Sequence, residues 1–161
     1  MRVLDPLAPD YWIRAVLLDT AGKTCVINGQ TMSADAVAFC GERIYPAREG
    51  FQPPAWPYIL FGPARDAVFD NYAQEAVLMD GEYLIRAMMR EDEPLNGKGL
   101  EEFNQPGFRA IMNAFQGVGE IFSVDSGLIH GCSVIRPHRR MYGEPGKRIS
   151  ELGVIARIFS N

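Results

Sequence analysis

The sequence predicts an α+β domain: a two-layer fold with a mainly antiparallel sheet and helices packed on one face. Three observations carry this. The turn signals Asn28-Gly29, Asp80-Gly81 and Asp125-Ser126-Gly127 lie between runs of β-favouring residues, and strands joined by tight turns are antiparallel. Over residues 82–90, Tyr83, Ile85, Ala87 and Met89 alternate with Glu82, Leu84, Arg86, Met88 and Arg90, the period of a strand with one apolar and one mixed, partly charged face. Phe108, Ile111, Met112 and Phe115 recur at helical spacing. Burying those four side chains stabilises by about 6–12 kcal/mol, whereas ordering roughly 11 backbone units costs about 11–22 kcal/mol. Such a helix has to dock its apolar face on a sheet.

In chain order, residues 8–20 predict a helix opened by Pro9 and Asp10 and ended by Gly22, with Trp12, Ile13, Val16 and Leu17 on one face. Residues 23–32 predict a small hairpin about Asn28-Gly29, and Ser33 is the expected N-cap of a short helix over residues 34–40 stopped by Gly41. Residues 41–61 read as a short strand, a Pro/Gly-rich loop and a second strand. Pro46 and Pro57 suit strand ends, and Tyr45, Trp56, Tyr58, Ile59 and Phe61 suit a half-buried sheet. Residues 64–72 read as polar and irregular. Residues 74–79 and 82–90 read as a hairpin about Asp80-Gly81, and residues 91–99 as a charged loop. Asn104 and Pro106 open the next helix and Gly117 closes it. Residues 120–124 and 128–135 read as strands, residues 136–147 as a basic loop with Pro137, Gly143, Pro145 and Gly146, and residues 149–159 as a last strand apolar on both faces, the mark of a central position.

With 161 residues the chain is expected to be a single domain, residues 1–161, with an extended N-terminal helical region. A net charge of −4 argues against a dedicated nucleic-acid binder. Three cysteines (Cys25, Cys40, Cys132) without CxxC spacing fit a reducing compartment rather than a disulfide framework. No apolar run reaches the roughly 18 residues of a membrane span, and the N-terminus lacks a signal-peptide pattern, so no membrane partner is expected.

No GxSxG, HExxH, P-loop or GxGxxG is present. His130, Cys132 and His138 would approach one another only if the chain bent after Ile135. As zinc ligands they lack a fourth partner, and nothing marks Cys132 as an activated nucleophile. A core cysteine beside a satisfied histidine is the plainer reading, and a small metal- or Cys-dependent hydrolase the alternative. Arg136, His138, Arg139 and Arg140 form a basic cluster in an acidic chain. It reads as a solvated loop, or as a contact to a carboxylate-rich partner surface or to passing DNA.

The order of segments carries a resemblance. Gly41-Glu42-Arg43-Ile44-Tyr45-Pro46 precedes a short loop and Pro57-Tyr58-Ile59-Leu60-Phe61; a strand (83–89), a helix (106–116) and a terminal strand after a basic loop follow. From about Ser33 onward this resembles the tail-terminator (tail-completion) family of long-tailed bacteriophages. The departures are a longer N-terminal region and longer loops at residues 64–72 and 91–103. The resemblance implies a virion protein of the head-proximal tail end, assembled in the host cytoplasm. Such proteins form a homohexameric ring that caps the tail tube, stops its polymerisation and presents a surface for head attachment. The implied partners are further copies of the chain, the major tail tube protein and the head-tail connector, with DNA passing through the ring lumen. The resemblance implies no enzymatic activity, cofactor, metal or catalytic residue. A head-completion or connector protein is the alternative of the same class. A closed ring needs two different complementary patches per subunit. The expected interface residues are Glu82, Arg86 and Arg90 on the mixed strand face and Arg136, Arg139 and Arg140 in the basic segment.

Overall fold

The computed structural model describes residues 8–64, 68–72, 76–93, 105–115 and 131–159. The first helix, α1 (Ala8–Leu18), buries Ile13 and Leu17. Gly22, with φ 76°, turns the chain into a hairpin of β1 (Thr24–Ile27) and β2 (Gln30–Ser33). Asn28 (φ 51°) and Gly29 (φ 77°) form its two-residue turn with both residues left-handed, the geometry that matches strand twist. Ser33 is the last residue of β2, paired with Thr24, so the expected cap shifts two residues. Asp35 caps α2 (Ala36–Cys40) instead: its carboxylate accepts from the Ala38 N–H at 2.9 Å and, across the hairpin, from the Gly22 N–H at 2.6 Å. Desolvation would raise the Asp35 pKa, but the amides of Gly22, Ala38 and Val37 outweigh it and hold the carboxyl below its usual value.

Gly41 (φ 63°) ends α2, as expected. β3 (Ile44–Pro46) then pairs parallel with β4 (Tyr58–Pro63), joined by residues 47–57. β5 (Val68–Tyr72) occupies part of the stretch read as irregular. β6 (Ala76–Arg90) runs unbroken through Asp80-Gly81, where a turn was expected. The reason lies in its neighbours. Asp80 is paired with Val68 on one side and Phe159 on the other, and Gly81 with Ile158, so the ladder holds these residues extended against their turn preference.

α3 (Pro106–Phe115) follows, and Gly107 lies so close to the Phe39 ring and the Ala87 side chain that a Cβ there would overlap both. β7 (Gly131–Tyr142) and β8 (Ile149–Phe159) complete the sheet. Residues 136–142, expected as loop, are strand, paired residue by residue with β8 after a bulge between Val134 and Arg136. Pro137 is tolerated because β7 is an edge strand among the described residues. The loop is only residues 143–148. Glu91 clamps it: its carboxylate accepts from the Gly146 N–H at 3.0 Å and from Arg148 Nη2 at 2.9 Å, and this pairing pulls its pKa down to about 2. Asn104, Gly117 and the expected elements of residues 120–130 lie outside the described residues.

The six-stranded sheet has the order β3-β4-β6-β8-β7, with β5 beside the first part of β6 and β8 central, as its two apolar faces predicted. The helices α1, α2 and α3 cover one face. Ile13, Leu17, Phe39, Ile111 and Phe115 pack there on Ile59, Phe61, Tyr83, Ile85, Ala87, Val154 and Ala156. The fold is the two-layer, mainly antiparallel α+β arrangement expected. Among the described residues no helix is long and apolar enough to cross a membrane.

Candidate functional site

Among the described residues no helix lies on the other face of the sheet, and strand register decides what it carries. Glu82, Leu84, Arg86, Met88 and Arg90 of β6 lie opposite Arg157, Ile155, Gly153, Glu151 and Ile149 of β8. Those in turn face Arg136, His138, Arg140 and Tyr142 of β7, and β4 adds Tyr58, Leu60 and Gly62. Five of the six expected interface residues therefore share this face. Arg139 does not: it pairs with Leu152 and belongs to the helix side, at the exposed edge.

At the centre is Glu151, only 4% exposed. Its carboxylate contacts three side chains: the Tyr142 hydroxyl donates at 3.1 Å, His138 Nε2 lies at 3.2 Å and Arg86 Nη1 donates at 3.4 Å. Arg140 stacks over the Tyr142 ring at 4.6 Å. Gly153 lies between Arg86 and His138 in register, and a Cβ on it would collide with the Ile85 carbonyl. That position accepts only glycine if β6 and β8 are to keep this spacing.

An aromatic cluster from residues 45–58 borders the polar group. Tyr45 and Phe51 lie 5.2 Å apart between centroids, Trp56 and Tyr58 4.9 Å, and Arg90 sits 5.6 Å over the Trp56 ring. Arg90 also binds Asp92 at 2.5 Å and Glu93 at 3.0 Å, which makes it a local clamp as much as a surface charge. Burial first, then the neighbouring Tyr142 and Glu151, push the Tyr58 pKa to about 12 against the pull of Arg86. Tyr142 is raised for similar reasons, burial leading and Glu151 next. Both phenols stay protonated at neutral pH, and Tyr142 donates its proton to Glu151 in a hydrogen bond.

Beside this group, residues 47–49 stand over β4 and β6 and leave an open cavity of about 320 Å³, lined by Arg48, Glu49, Gly62, Pro63, Leu84 and Arg86 among others. Arg86 thus faces both the Glu151 cluster and the cavity.

β7 is bulged at Ile135 but continues as one strand, so the chain does not fold back as the histidine–cysteine reading required. Six residues of strand separate Cys132 from His138, roughly 20 Å at strand rise. His130 lies outside the described residues. Among the described residues no three His, Cys, Asp or Glu side chains are grouped as a metal site. Buried Cys40, its thiol pushed up to about 12 by desolvation, donates to the Ala36 carbonyl at 3.3 Å. Sequence reasoning passed over Glu151 and Tyr142. The available signal was one carboxylate in an otherwise apolar central strand, which demands partners on the strands beside it.

No family model matches the chain and no curated protein matches it. Among solved structures, a chain from the virion of a native gene transfer agent particle is similar in fold, with a TM-score of 0.51 and 15% identity. The match spans 92% of this chain and 95% of that one, so the likeness is of whole folds and not of a shared fragment.

Proposed function

We propose that the chain is a structural subunit of a phage-like particle, a tail terminator that caps the tail tube as a ring and offers a surface for head attachment. The observation that carries this is the whole-chain likeness in fold to a component of a gene transfer agent virion. The Gly41–Pro46 and Pro57–Phe61 segments, which resemble tail terminators, add the finer assignment. They form β3, β4 and the residues leading into them.

The sheet supplies what ring closure needs. Among the described residues β7 pairs only with β8 and β3 only with β4, so the two are the edges of the described sheet. Two unlike edges suit a heterologous, closing interface. β7 exposes Ile135 (46%) and Met141 (41%) between Arg136, Arg139 and Arg140, a mixture of apolar and cationic groups fit for a protein neighbour. The proposed work is recognition, with no catalytic step. The Glu151 cluster holds two protonated phenols and a paired carboxylate, and the buried Cys40 thiol is far from ionising at neutral pH.

The test is assembly with tail tube protein, watched by negative-stain microscopy. A terminator forms six-fold rings at one tube end and halts elongation. Binding to portal-side particles while tubes keep growing would mean a connector instead, and failure to bind either would overturn the virion reading. Reversing Arg136 and Arg140 to Glu should abolish rings while leaving the monomer folded.

A further inference from the structure

We infer that the cavity between residues 47–49 and β6 is a binding site for a carboxylate side chain presented by another protein subunit. The inference stands on the cavity itself and not on the tail-end reading.

Arg86 is the anchor. Its side chain is 19% exposed and makes one polar contact among the described residues, Nη1 to Glu151, the longest of the three that Glu151 receives. Its Nε is buried and without a partner among the described residues. An arginine grips a carboxylate best through two parallel N–H groups, Nε and the neighbouring Nη. Glu151 occupies the other nitrogen. A desolvated guanidinium donor with no acceptor is costly to keep, and here it belongs to a residue that lines an open cavity. When Arg86 turns towards the cavity, Glu151 keeps its contacts with His138 and Tyr142.

The rest of the lining defines the ligand. Arg48 adds a second, exposed cation. Leu84, Pro63 and Ala47 offer apolar wall to the methylene groups of an acidic side chain. Glu49 shares the cavity and opposes dense negative charge, and the chain as a whole carries −4. Both features disfavour a phosphate backbone, which brings successive charges, and favour a single carboxylate. The volume of about 320 Å³ admits a glutamate with part of its own backbone.

The test uses the full chain labelled with ¹⁵N-arginine and observes the Arg86 Nε–H resonance. Three probes are added: acetyl-Gly-Glu-Gly-amide, its glutamine counterpart, and a twelve-residue oligothymidylate. The glutamate peptide should shift the resonance saturably in the millimolar range, and the glutamine peptide should bind about tenfold more weakly or less. Arg48→Ala should weaken the glutamate peptide several-fold and Glu49→Gln should tighten it; both are exposed positions whose substitution leaves the core intact. Equal binding of the two peptides, no saturable shift, or preference for the oligothymidylate would each overturn the inference. None of these outcomes bears on tube capping, and a failed capping assay leaves this titration unaffected.

Discussion

The two faces of the sheet are built from the same strands at alternate positions, yet they do different work. The helix side is apolar almost throughout, with Phe61, Ile85, Val154, Ala156 and Phe115 inaccessible to water. The other side holds a guanidinium, an imidazole and a phenol, each in contact with one carboxylate. Hydrophobic burial is non-directional and roughly proportional to area, so the helix side supplies stability. A buried ionic group contributes little net stability for its desolvation cost. The contrast teaches that an apolar core face and a charged, hydrogen-bonded face can be separated along one strand by a shift of a single residue.

The largest effect should come from the helix side. Phe115→Ala is expected to cost about 3–5 kcal/mol by urea denaturation, through lost transfer energy and the cavity left behind. Next is Glu151→Ala, expected to cost about 3 kcal/mol because it leaves Arg86 half-desolvated and uncompensated. Replacing Glu151, Arg86 and His138 together by Leu should instead be neutral or stabilising. If the triple variant were as damaged as Phe115→Ala, the polar cluster would be part of the stabilising core and the comparison would fail.

Smaller effects follow from titration. Tyr58 has a folded pKa of about 12 against an ordinary 10. The fold favours the neutral phenol, so this contribution is complete below pH 10 and disappears as pH rises from 10 to 12. Absorbance titration should show a late-ionising tyrosine that Tyr58→Phe removes, and the variant should lose less stability over that range. Smallest is Glu91, whose folded pKa of about 2 lies below its ordinary 4.5. Its contribution is complete above pH 4.5 and fades as pH falls towards 2. Glu91→Gln should flatten that part of the acid unfolding curve, since the Glu91–Arg148 pair is solvent-screened.

Two turn signals show how far local chemistry reaches. Asn28-Gly29 makes its turn because, among the described residues, β1 and β2 pair only with each other and no further strand holds these residues extended. Asp80-Gly81 carries a comparable signal and is strand, because partners on β5 and β8 hold it extended. Residues 136–142 differ from expectation for the same reason: β8 recruits a segment whose Pro137 and basic side chains argue for loop. The candidate site was legible in halves. Arg86 and Arg140 stand out as charges beside apolar positions, and alternation alone puts Arg86 opposite the core face of β6. Glu151 was hidden inside a strand that reads as apolar on both sides.

What the amino-acid order determined unaided is therefore whatever repeats or caps locally. That includes the alternation of residues 82–90, the helical face of Phe108, Ile111 and Phe115, the left-handed glycines at 22, 29 and 41, and the central character of residues 149–159. Tertiary structure alone decided which strand each segment meets and in what register. Arg86 and Glu151 lie 65 positions apart and touch only because β6 and β8 pair Met88 with Glu151. A period of two tells a side chain which face it occupies, but a shift of pairing by two residues keeps that face and changes every neighbour on it. Contact across strands is a long-range property, settled by the summed packing of the whole sheet.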